Sequence, residues 1–319
     1  RKQFTTERPT VTQVGFKTWR HPGVPVMRAV FNQPVSGESV ARYLTLHSGD
    51  SGDTYTVSAS ADPDEQHLPR YWRLPGEKWI LDSNTAGGRK TDDQLTRDER
   101  GEEARRVWLL QPRKPLPLDR QFQLRLGAGL RSALGPVPGA PRETVVAFQT
   151  FPAFRFLGIR CQTNDAKRVL LAVSAGNEIE QRRCDPLAGI ALAFSAPVLL
   201  SDLRRSLTFA PALREGKSPP LWENQQDFSR LHQPHRTGAT YDYWLPGRLR
   251  ANQAYRLKLA ASGRLGAQPG MAAGALVDEF GRSLSDAIDF RFHTDHRRPD
   301  FDLVHHDAVL EAAIESEPP

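Results

Sequence analysis

The residues of this chain whose chemistry is easiest to state are its two cysteines, Cys161 and Cys184, the only thiols among 319 residues. A disulfide between them would close a loop of about 24 residues and stabilise the fold by roughly 3 kcal/mol on the chain-entropy model. It would also indicate an oxidising compartment. The alternative is a pair of buried free thiols. The spacing is not C-x-x-C, so we expect neither a zinc site nor a dithiol redox site.

Other polar clusters lack the spacing of a known catalytic or metal site. His232 and His235 could both ligate a metal, but they lie in a Gln- and Pro-rich segment without a regular scaffold. The acidic run at residues 62–65 lacks the spaced ligands and central Gly of a calcium loop. Phosphate-binding, zinc-protease and serine-hydrolase motifs are absent from the sequence. We therefore predict no metal, no cofactor and no enzymatic activity; the alternative is an enzyme whose site is formed by the long loops.

Three of the six tryptophans, Trp72, Trp79 and Trp222, fall in two long loops at about residues 62–105 and 214–240. Loops of this length in a compact module are usually functional or mobile. These indoles are candidates for contact with a partner or a sugar, or alternatively anchors that cover the loops. Trp108 and Trp244 occupy similar places in the two halves of the chain, and we predict that both pack in a core.

The elements that would position these residues come in two copies. The sequence Phe-Asn-Gln-Pro-Val at 31–35 returns 163 residues later as Phe-Ser-Ala-Pro-Val at 194–198. Near the end of each copy, Phe-Gln-Thr at 148–150 returns as Phe-His-Thr at 292–294. A chain built from diverged copies of one module is usually a row of folded units.

Short alternating segments separated by turn residues run through both copies. Residues 122–126 and 255–259 alternate large apolar with polar side chains, as do strands with one buried face. We predict an all-β chain of two tandem Ig-like antiparallel β-sandwich domains with long inserted loops. The predicted domains are residues 8–151 and 152–297, and residues 298–319 are predicted to be a linker and the start of a following domain.

The charge of the chain is spread rather than concentrated. Its net charge is +6, with 25% charged and 39% hydrophobic residues. Arginine pairs such as 182–183 and 204–205 are isolated, whereas nucleic-acid binders gather basic residues into a stripe. No apolar run approaches the roughly 18 residues needed to span a membrane. We expect no nucleic-acid partner, and membrane attachment only through an anchor outside this chain.

The order of motifs resembles that of a bacterial Ig-like domain. Each copy carries Phe-x-x-Pro-Val, then Leu-Thr-Leu or Leu-Thr-Phe, a Phe/Tyr-x-Leu-x-Leu strand, Gly/Ala-Leu-x-x-x-x-Gly and Phe-x-Thr. Two such modules followed by His-Asp-Ala-Val-Leu-Glu at 306–311 resemble the N-terminal part of a bacterial alpha-2-macroglobulin. The resemblance covers about residues 10–319.

The resemblance implies a large periplasmic protein, attached to the inner membrane, that traps invading proteases. The partners would be proteases, bound through the full-length protein, other domains of the same protein and cell-envelope proteins. In that family a bait region is cleaved, and in many members a Cys-x-Glu-Gln thioester captures the protease. Cys161 and Cys184 do not match that motif, so no functional residue is carried over. The alternative is a stand-alone Ig-like adhesive or polysaccharide-binding module of the cell envelope.

Overall fold

The computed structural model describes residues 7–62, 105–133, 135–173, 182–212, 226–245, 249–261 and 275–296. Nearly all regular elements in these ranges are strands, and most pair antiparallel, which confirms the predicted all-β class. Two short helices are also present there. None of the helices in the described ranges is long and apolar enough to cross a bilayer.

The first repeat consists of the elements before residue 150. Its elements are β1 (Val11–His21), β2 (Val24–Phe31), α1 (Gly37–Tyr43), β3 (Leu44–Ser48), β4 (Thr54–Ala61), β5 (Val107–Pro112), β6 (Gln121–Leu126), β7 (Arg131–Ser132), β8 (Gly135–Pro138) and β9 (Arg142–Gln149). Seven of these strands form one sheet in the order β1-β2-β5-β4-β3-β6-β9, and β7 pairs with β8.

Strand β4 joins the two halves of the seven-stranded sheet. Its beginning, Thr54 to Thr56, pairs with β3, whereas residues from Val57 onward pair with β5. Aromatic contacts connect the two ends of the strand order, because Phe16 of β1 lies 5.4 Å from Phe148 of β9 between ring centroids. The sheet therefore closes on an apolar core, in which Phe122, Leu124 and Leu126 of β6 are buried as the alternation predicts.

The second repeat consists of the elements after residue 155. Its elements are β10 (Phe156–Gln162), β11 (Arg168–Ala172), β12 (Arg183–Cys184), β13 (Ile190–Phe194), α2 (Leu200–Ser206), β14 (Leu207–Ala210), β15 (Tyr241–Trp244), β16 (Ala254–Leu259) and β17 (Ile288–Thr294). They form two four-stranded sheets with the orders β11-β10-β13-β15 and β12-β17-β16-β14. Phe156 of the first sheet contacts Phe290 of the second, with ring centroids 5.9 Å apart.

The sequence echo corresponds to shared hydrogen bonds. Ala133 N donates to Pro34 O at 2.9 Å in the first repeat, and Glu279 N donates to Pro197 O at 2.9 Å in the second. In both repeats the echoed Phe-x-x-Pro-Val segment is followed by a seven-residue helix and then a strand. The two copies thus share backbone connections as well as residue types.

A threonine closes each repeat in the same way. Thr150 Oγ1 accepts from Arg120 N at 3.0 Å and donates to Pro117 O at 2.7 Å. Thr294 Oγ1 accepts from Gln253 N at 3.0 Å and donates to the carbonyl of Arg250 at 2.5 Å. Both threonine side chains are buried, so these bonds satisfy groups that water does not reach. This explains why the last motif of the echo is Phe-x-Thr.

The two helices add to the sequence-based assignment, which placed no element at residues 37–43 and 200–206. Each helix is seven residues long and buries a single central aliphatic side chain, Val40 in α1 and Leu203 in α2. Ser36 caps the N-terminus of helix α1, and its hydroxyl accepts from Ser39 N at 3.2 Å. Two turns of helix are too short to show a 3.6-residue period in sequence.

Candidate functional site: the contact between the two repeats

The two cysteines form a disulfide, as one of the two sequence hypotheses predicted. Cys161 lies in β10 and Cys184 in β12, with their Cα atoms 5.7 Å apart. Both residues are buried. Because β10 and β12 belong to different sheets, the bond joins the two sheets of the second repeat across its core.

The predicted equivalence of Trp108 and Trp244 is wrong by one residue. Ala29 of β2 pairs with Trp108, and the corresponding Leu192 of β13 pairs with Tyr243. Tyr243 is therefore the counterpart of Trp108, and it is 3% exposed, whereas Trp244 is 52% exposed. Successive strand residues point to opposite faces, so a slip of one position moves a side chain from core to surface.

Trp108 and Tyr243 also make the same hydrogen bond. Trp108 Nε1 donates to Val35 O at 3.2 Å and shares this proton with Arg105 O at 3.0 Å, and Tyr243 Oη donates to Val198 O at 2.8 Å. The acceptors are the last residues of the two echoed segments. Tyr243 Oη additionally accepts from Val198 N at 2.7 Å. Each aromatic residue thus fixes the turn that leads into the helix of its repeat.

His235 is buried between the repeats rather than arranged for a metal. Its ring stacks on Phe151 with centroids 4.3 Å apart, and its Nδ1 lies 3.1 Å from Tyr241 Oη. His232, three residues earlier, is exposed. No group of three or more His, Cys, Asp or Glu suited to a metal ion occurs within the described ranges.

Aromatic side chains from both repeats meet around Phe151. Phe151 is fully buried and contacts Trp19 of β1 edge to face, with centroids 5.0 Å apart. From the second repeat, Phe280 lies 5.0 Å away and Tyr241 5.9 Å away by the same measure. We call this set, together with His235, the junction cluster. Such aromatic pairs contribute about 0.5–1.5 kcal/mol each beyond the area they bury.

Hydrogen bonds to main-chain carbonyl oxygens add directional contacts to the junction cluster. Gln149 N, at the end of β9, donates to His235 O at 2.8 Å. Trp19 Nε1 donates to Gln233 O at 3.0 Å. The segment 232–237 therefore lies on the first repeat, because its carbonyl oxygens at Gln233 and His235 both accept hydrogen bonds from that repeat.

A buried ion pair supports the same contact from the second repeat. Arg282 Nη2 lies 2.7 Å from Asp278 Oδ2, and the Asp278 side chain is fully buried. Arg282 Nη1 donates to Pro152 O at 2.8 Å, in the link between the repeats. Burial raises the pKa of Asp278, and the hydrogen bonds from Arg282 oppose that shift. Removing one partner of such a buried pair is strongly destabilising.

The pKa of His235 reflects its position in the cluster. Burial lowers it to about 4, Asp119 opposes this shift, and Arg282 adds to it. His235 is 2% exposed. The imidazole is therefore neutral at pH 7 and acts as a flat ring that packs between aromatic groups. Burial also raises the pKa of the neighbouring Tyr241, whose hydroxyl stays protonated.

A second contact region is the surface segment 226–231, of which only Leu231 is buried. Asp227 Oδ1 accepts from Ser201 N at 3.1 Å, at the start of α2. Ser229 Oγ donates to one oxygen of Glu279 at 2.6 Å, and Arg230 N donates to the other at 3.0 Å. Burial opposes ionisation of Asp227, but the hydrogen bonds from Ser201 and Leu200 and the charge of Arg204 lower its pKa overall. This segment bridges α2 and the turn at Glu279.

The predicted interaction residues Trp72, Trp79 and Trp222 lie outside the described residues, so their proposed role remains a prediction. Sequence reasoning did not identify the junction cluster. Its members are far apart in sequence, and the neighbouring Trp19–Gln233 bond, for example, joins residues separated by 214 positions. The one available signal was the short link at residues 151–153, which suggests a fixed angle between the repeats.

Comparisons with known proteins find similarity to solved structures alone. No family model and no curated protein matches it. A crystal structure of the S-layer protein rSbsC matches with 7% identity and a TM-score of 0.24, covering 91% of this chain and 41% of that one. A structure of domains 1–6 of surface layer protein SbsC matches with 8% identity and a TM-score of 0.22, with the same coverage. The chain thus spans less than half the length of these structures, and similarity at this level supports no functional argument.

Proposed function

We propose that this chain is a two-repeat scaffold of a bacterial alpha-2-macroglobulin-like protein, in which it holds other domains at a set position while the full-length protein traps proteases. The chain itself is proposed to act without catalysis. The proposed location is the periplasm, at the inner membrane. The macroglobulin part of this proposal rests on the motif resemblance.

The observation that carries the scaffold role is the junction cluster. A flexible linker between two domains would leave few contacts between them, and relative motion is the default for such pairs. Here the link is short, Phe151 is buried among aromatic side chains from both repeats, and Gln149 bonds to His235 through the main chain. A scaffold needs this kind of fixed orientation. The disulfide between Cys161 and Cys184 agrees with an oxidising compartment such as the periplasm.

The test uses the full-length protein from its own cells. Immunoblotting of cell fractions with an antibody against this chain is expected to detect a polypeptide several times larger, in the periplasmic or inner-membrane fraction. A trapped protease is expected to co-purify with that protein and to cleave a small peptide substrate while losing activity on a large protein. A Phe151→Ala variant is expected to trap less protease. A band of the size of this chain alone, or no retention of protease, would reject the macroglobulin proposal.

A second candidate, a polysaccharide-binding module, is favoured by the surface around Trp244. Its indole is 52% exposed on β15. On the same strand, Asp242 Oδ2 lies 2.8 Å from Arg160 Nε of β10. Arg160 and Trp244 both pair with Ala191 of β13, so they lie in one row across the sheet. An exposed indole beside a guanidinium and a carboxylate can stack on a sugar ring and bond to its hydroxyls.

Intrinsic fluorescence distinguishes this candidate from the scaffold role. Binding of cell-wall glycans at this surface is expected to quench tryptophan emission in the unmodified chain and to leave the emission of a Trp244→Phe variant unchanged on addition of glycan. Equal quenching in both proteins would place any glycan contact elsewhere, and no quenching would remove the candidate.

A further inference from the structure

Strand β11 belongs to a segment that is inserted in the second repeat. In the first repeat, β1 continues as one strand through Phe16 to His21, and the carbonyl of Pro22 accepts from the backbone N–H that follows the Phe-x-Thr motif. In the second repeat, Cys161 takes the pairing position of Phe16, and the carbonyl of Cys184 takes the role of Pro22. Six positions separate the first two residues, whereas 23 separate the cysteines. The disulfide therefore closes the base of the insertion that carries β11.

One side of β11 is an open sheet edge. The strand is the first in the order β11-β10-β13-β15. Thr163 N donates to Lys167 O at 2.9 Å, so this pair and every second pair beyond it direct their main-chain groups at β10. The N–H and C=O groups of Arg168, Leu170 and Ala172 therefore point away from β10, and none of them bonds to a residue in the described ranges. Such a row of main-chain groups is a template for another strand.

The side chains of β11 do little to protect this edge. Natural edge strands are commonly guarded by charges, a proline or a bulge. Here β11 pairs with β10 in continuous register, and Arg168 carries the only charge of the strand. The sequence from Val169 to Val173 is Val-Leu-Leu-Ala-Val, and Val173 is 41% exposed. An apolar edge of this kind favours pairing with a second strand.

We propose that two copies of this chain associate by antiparallel pairing of β11 with β11, about a two-fold axis at Leu170. In this register Arg168 faces Ala172 of the second copy at both ends, and Leu170 faces its own equivalent. It is the register that uses all three outward-pointing residues as hydrogen-bonded pairs. The two four-stranded sheets then join into one continuous sheet. The inference rests on the second repeat alone and is independent of the proposed function.

A second copy is the expected occupant because β11 is complementary to itself in this register. On the face toward the core, Val169 meets Leu171 of the second copy at both ends, in the pairs whose side chains approach most closely. The two Arg168 residues lie at opposite ends, about 13 Å apart along the strand at roughly 3.3 Å per residue. That distance exceeds the screening length of about 8 Å at physiological salt. The pairing thus matches apolar residues with apolar residues, and within β11 it brings no like charges face to face. A two-fold contact of this kind gives a closed dimer.

The test is sedimentation equilibrium of the full 319-residue chain, at concentrations up to about 1 mM. The unmodified chain is expected to form a species of twice the chain mass. Leu170→Lys places like charges directly opposite each other at the axis and is expected to weaken dimerisation at least tenfold. Thr208→Lys adds the same charge at an exposed position of β14, an edge strand of the other sheet, and is expected to leave dimerisation unchanged.

Mixing two variants distinguishes a two-fold contact at Leu170 from a general loss of structure. Leu170→Glu alone is expected to dimerise as weakly as Leu170→Lys. An equal mixture of the two is expected to dimerise at least tenfold more tightly than either alone, because opposite charges then meet at the axis. Misfolded variants would not recover on mixing.

A third variant tests the main-chain pairing. Leu170→Pro removes an N–H that points to the outside of the sheet, a position at which an edge strand tolerates proline. It is expected to weaken dimerisation at least tenfold without changing the circular dichroism spectrum. An unmodified chain that stays monomeric throughout, dimers that form equally well with Leu170→Lys, or a mixture of the charged variants that does not recover would each overturn the proposal.

Discussion

At the scale of single residues, His235 connects packing with pH. In the unfolded chain a histidine has a pKa near 6.5, whereas burial lowers the pKa of His235 in the fold to about 4. Between these values the unfolded state binds a proton that the folded state does not. The stability that the neutral ring provides is therefore complete above pH 6.5 and is lost as the pH falls toward 4.

We expect this linkage to lower the free energy of unfolding by about 3 kcal/mol between pH 7 and pH 4. Urea unfolding at several pH values measures it. Carboxylates titrate in the same range, so the relevant quantity is the difference from a His235→Phe variant, which should depend less on pH. His232→Phe, at an exposed position in the same segment, should keep the full dependence of the unmodified chain. Parallel pH profiles for all three proteins would contradict the assignment.

A second residue-scale prediction concerns Tyr243. Removing its hydroxyl leaves both the N–H and the carbonyl of Val198 without their partner. Tyr243→Phe should therefore cost about 1–3 kcal/mol in the free energy of unfolding. Trp244→Phe changes the adjacent, exposed residue and should cost less than half as much. If the two losses measured by urea unfolding are equal, the register of β15 described here is wrong.

The same pair of residues shows where residue-level prediction from sequence failed. Two tryptophans in similar contexts suggested equivalent positions, but the hydrogen-bonded register pairs Trp108 with Tyr243. The register of β5 is set by its pairing with β2, and the register of β15 by its pairing with β13. The sequence of a single strand does not specify this pairing. The disulfide was easier to predict, because a chain with two cysteines can form only one intramolecular disulfide.

At the scale of elements, alternation predicted the long strands well and the short elements poorly. Strands β6 and β16 bury every second residue, as their sequences indicate. Helix α2 spans seven residues and β12 only two, so neither is long enough to produce a period. The dual pairing of β4 with β3 and β5 depends on tertiary closure and leaves no local signal.

The element-scale prediction concerns the disulfide that joins β10 to β12. Reducing the Cys161–Cys184 bond should lower the free energy of unfolding by about 3 kcal/mol, because the unfolded chain gains freedom in the released loop. Urea unfolding with and without a thiol reductant measures this loss. A Cys161→Ala, Cys184→Ala double variant should have the lower stability and should not respond to the reductant. Intact mass should rise by two hydrogens on reduction of the unmodified chain, and an unchanged mass would contradict the bond.

At the scale of the whole molecule, the junction cluster determines how one repeat sits on the other. The contact joins the end of β9 with a segment that precedes β15, far apart in sequence. Sequence patterns within each repeat predict a fold for each repeat separately. Alternation indicates which side chains are buried, but it does not indicate which residues they pack against. The junction could not be predicted in this way, since its residues belong to loops and element ends.

Distances between spin labels at Glu143 and Ala287, both exposed and one in each repeat, test this arrangement. Pulsed electron paramagnetic resonance spectroscopy should give a single narrow distance distribution for the chain that carries only the two labels. Phe151→Ala removes the central ring of the cluster and should broaden the distribution. Phe228→Ala removes an aromatic side chain that is 75% exposed and should leave it narrow. A broad distribution in the chain with an intact Phe151 would show that the repeats move independently.

The disulfide has a mechanical consequence, because the strands of the first repeat carry no such bond. When a chain is pulled from its two ends, force unravels it up to the nearest covalent cross-link. Cys161 and Cys184 are separated by 23 positions. Roughly 80 Å of extended chain, at about 3.5 Å per residue, would therefore stay hidden when the second repeat ruptures. Under tension the two copies of one fold would lengthen by different amounts, and a reductant would release the hidden length in the second copy alone.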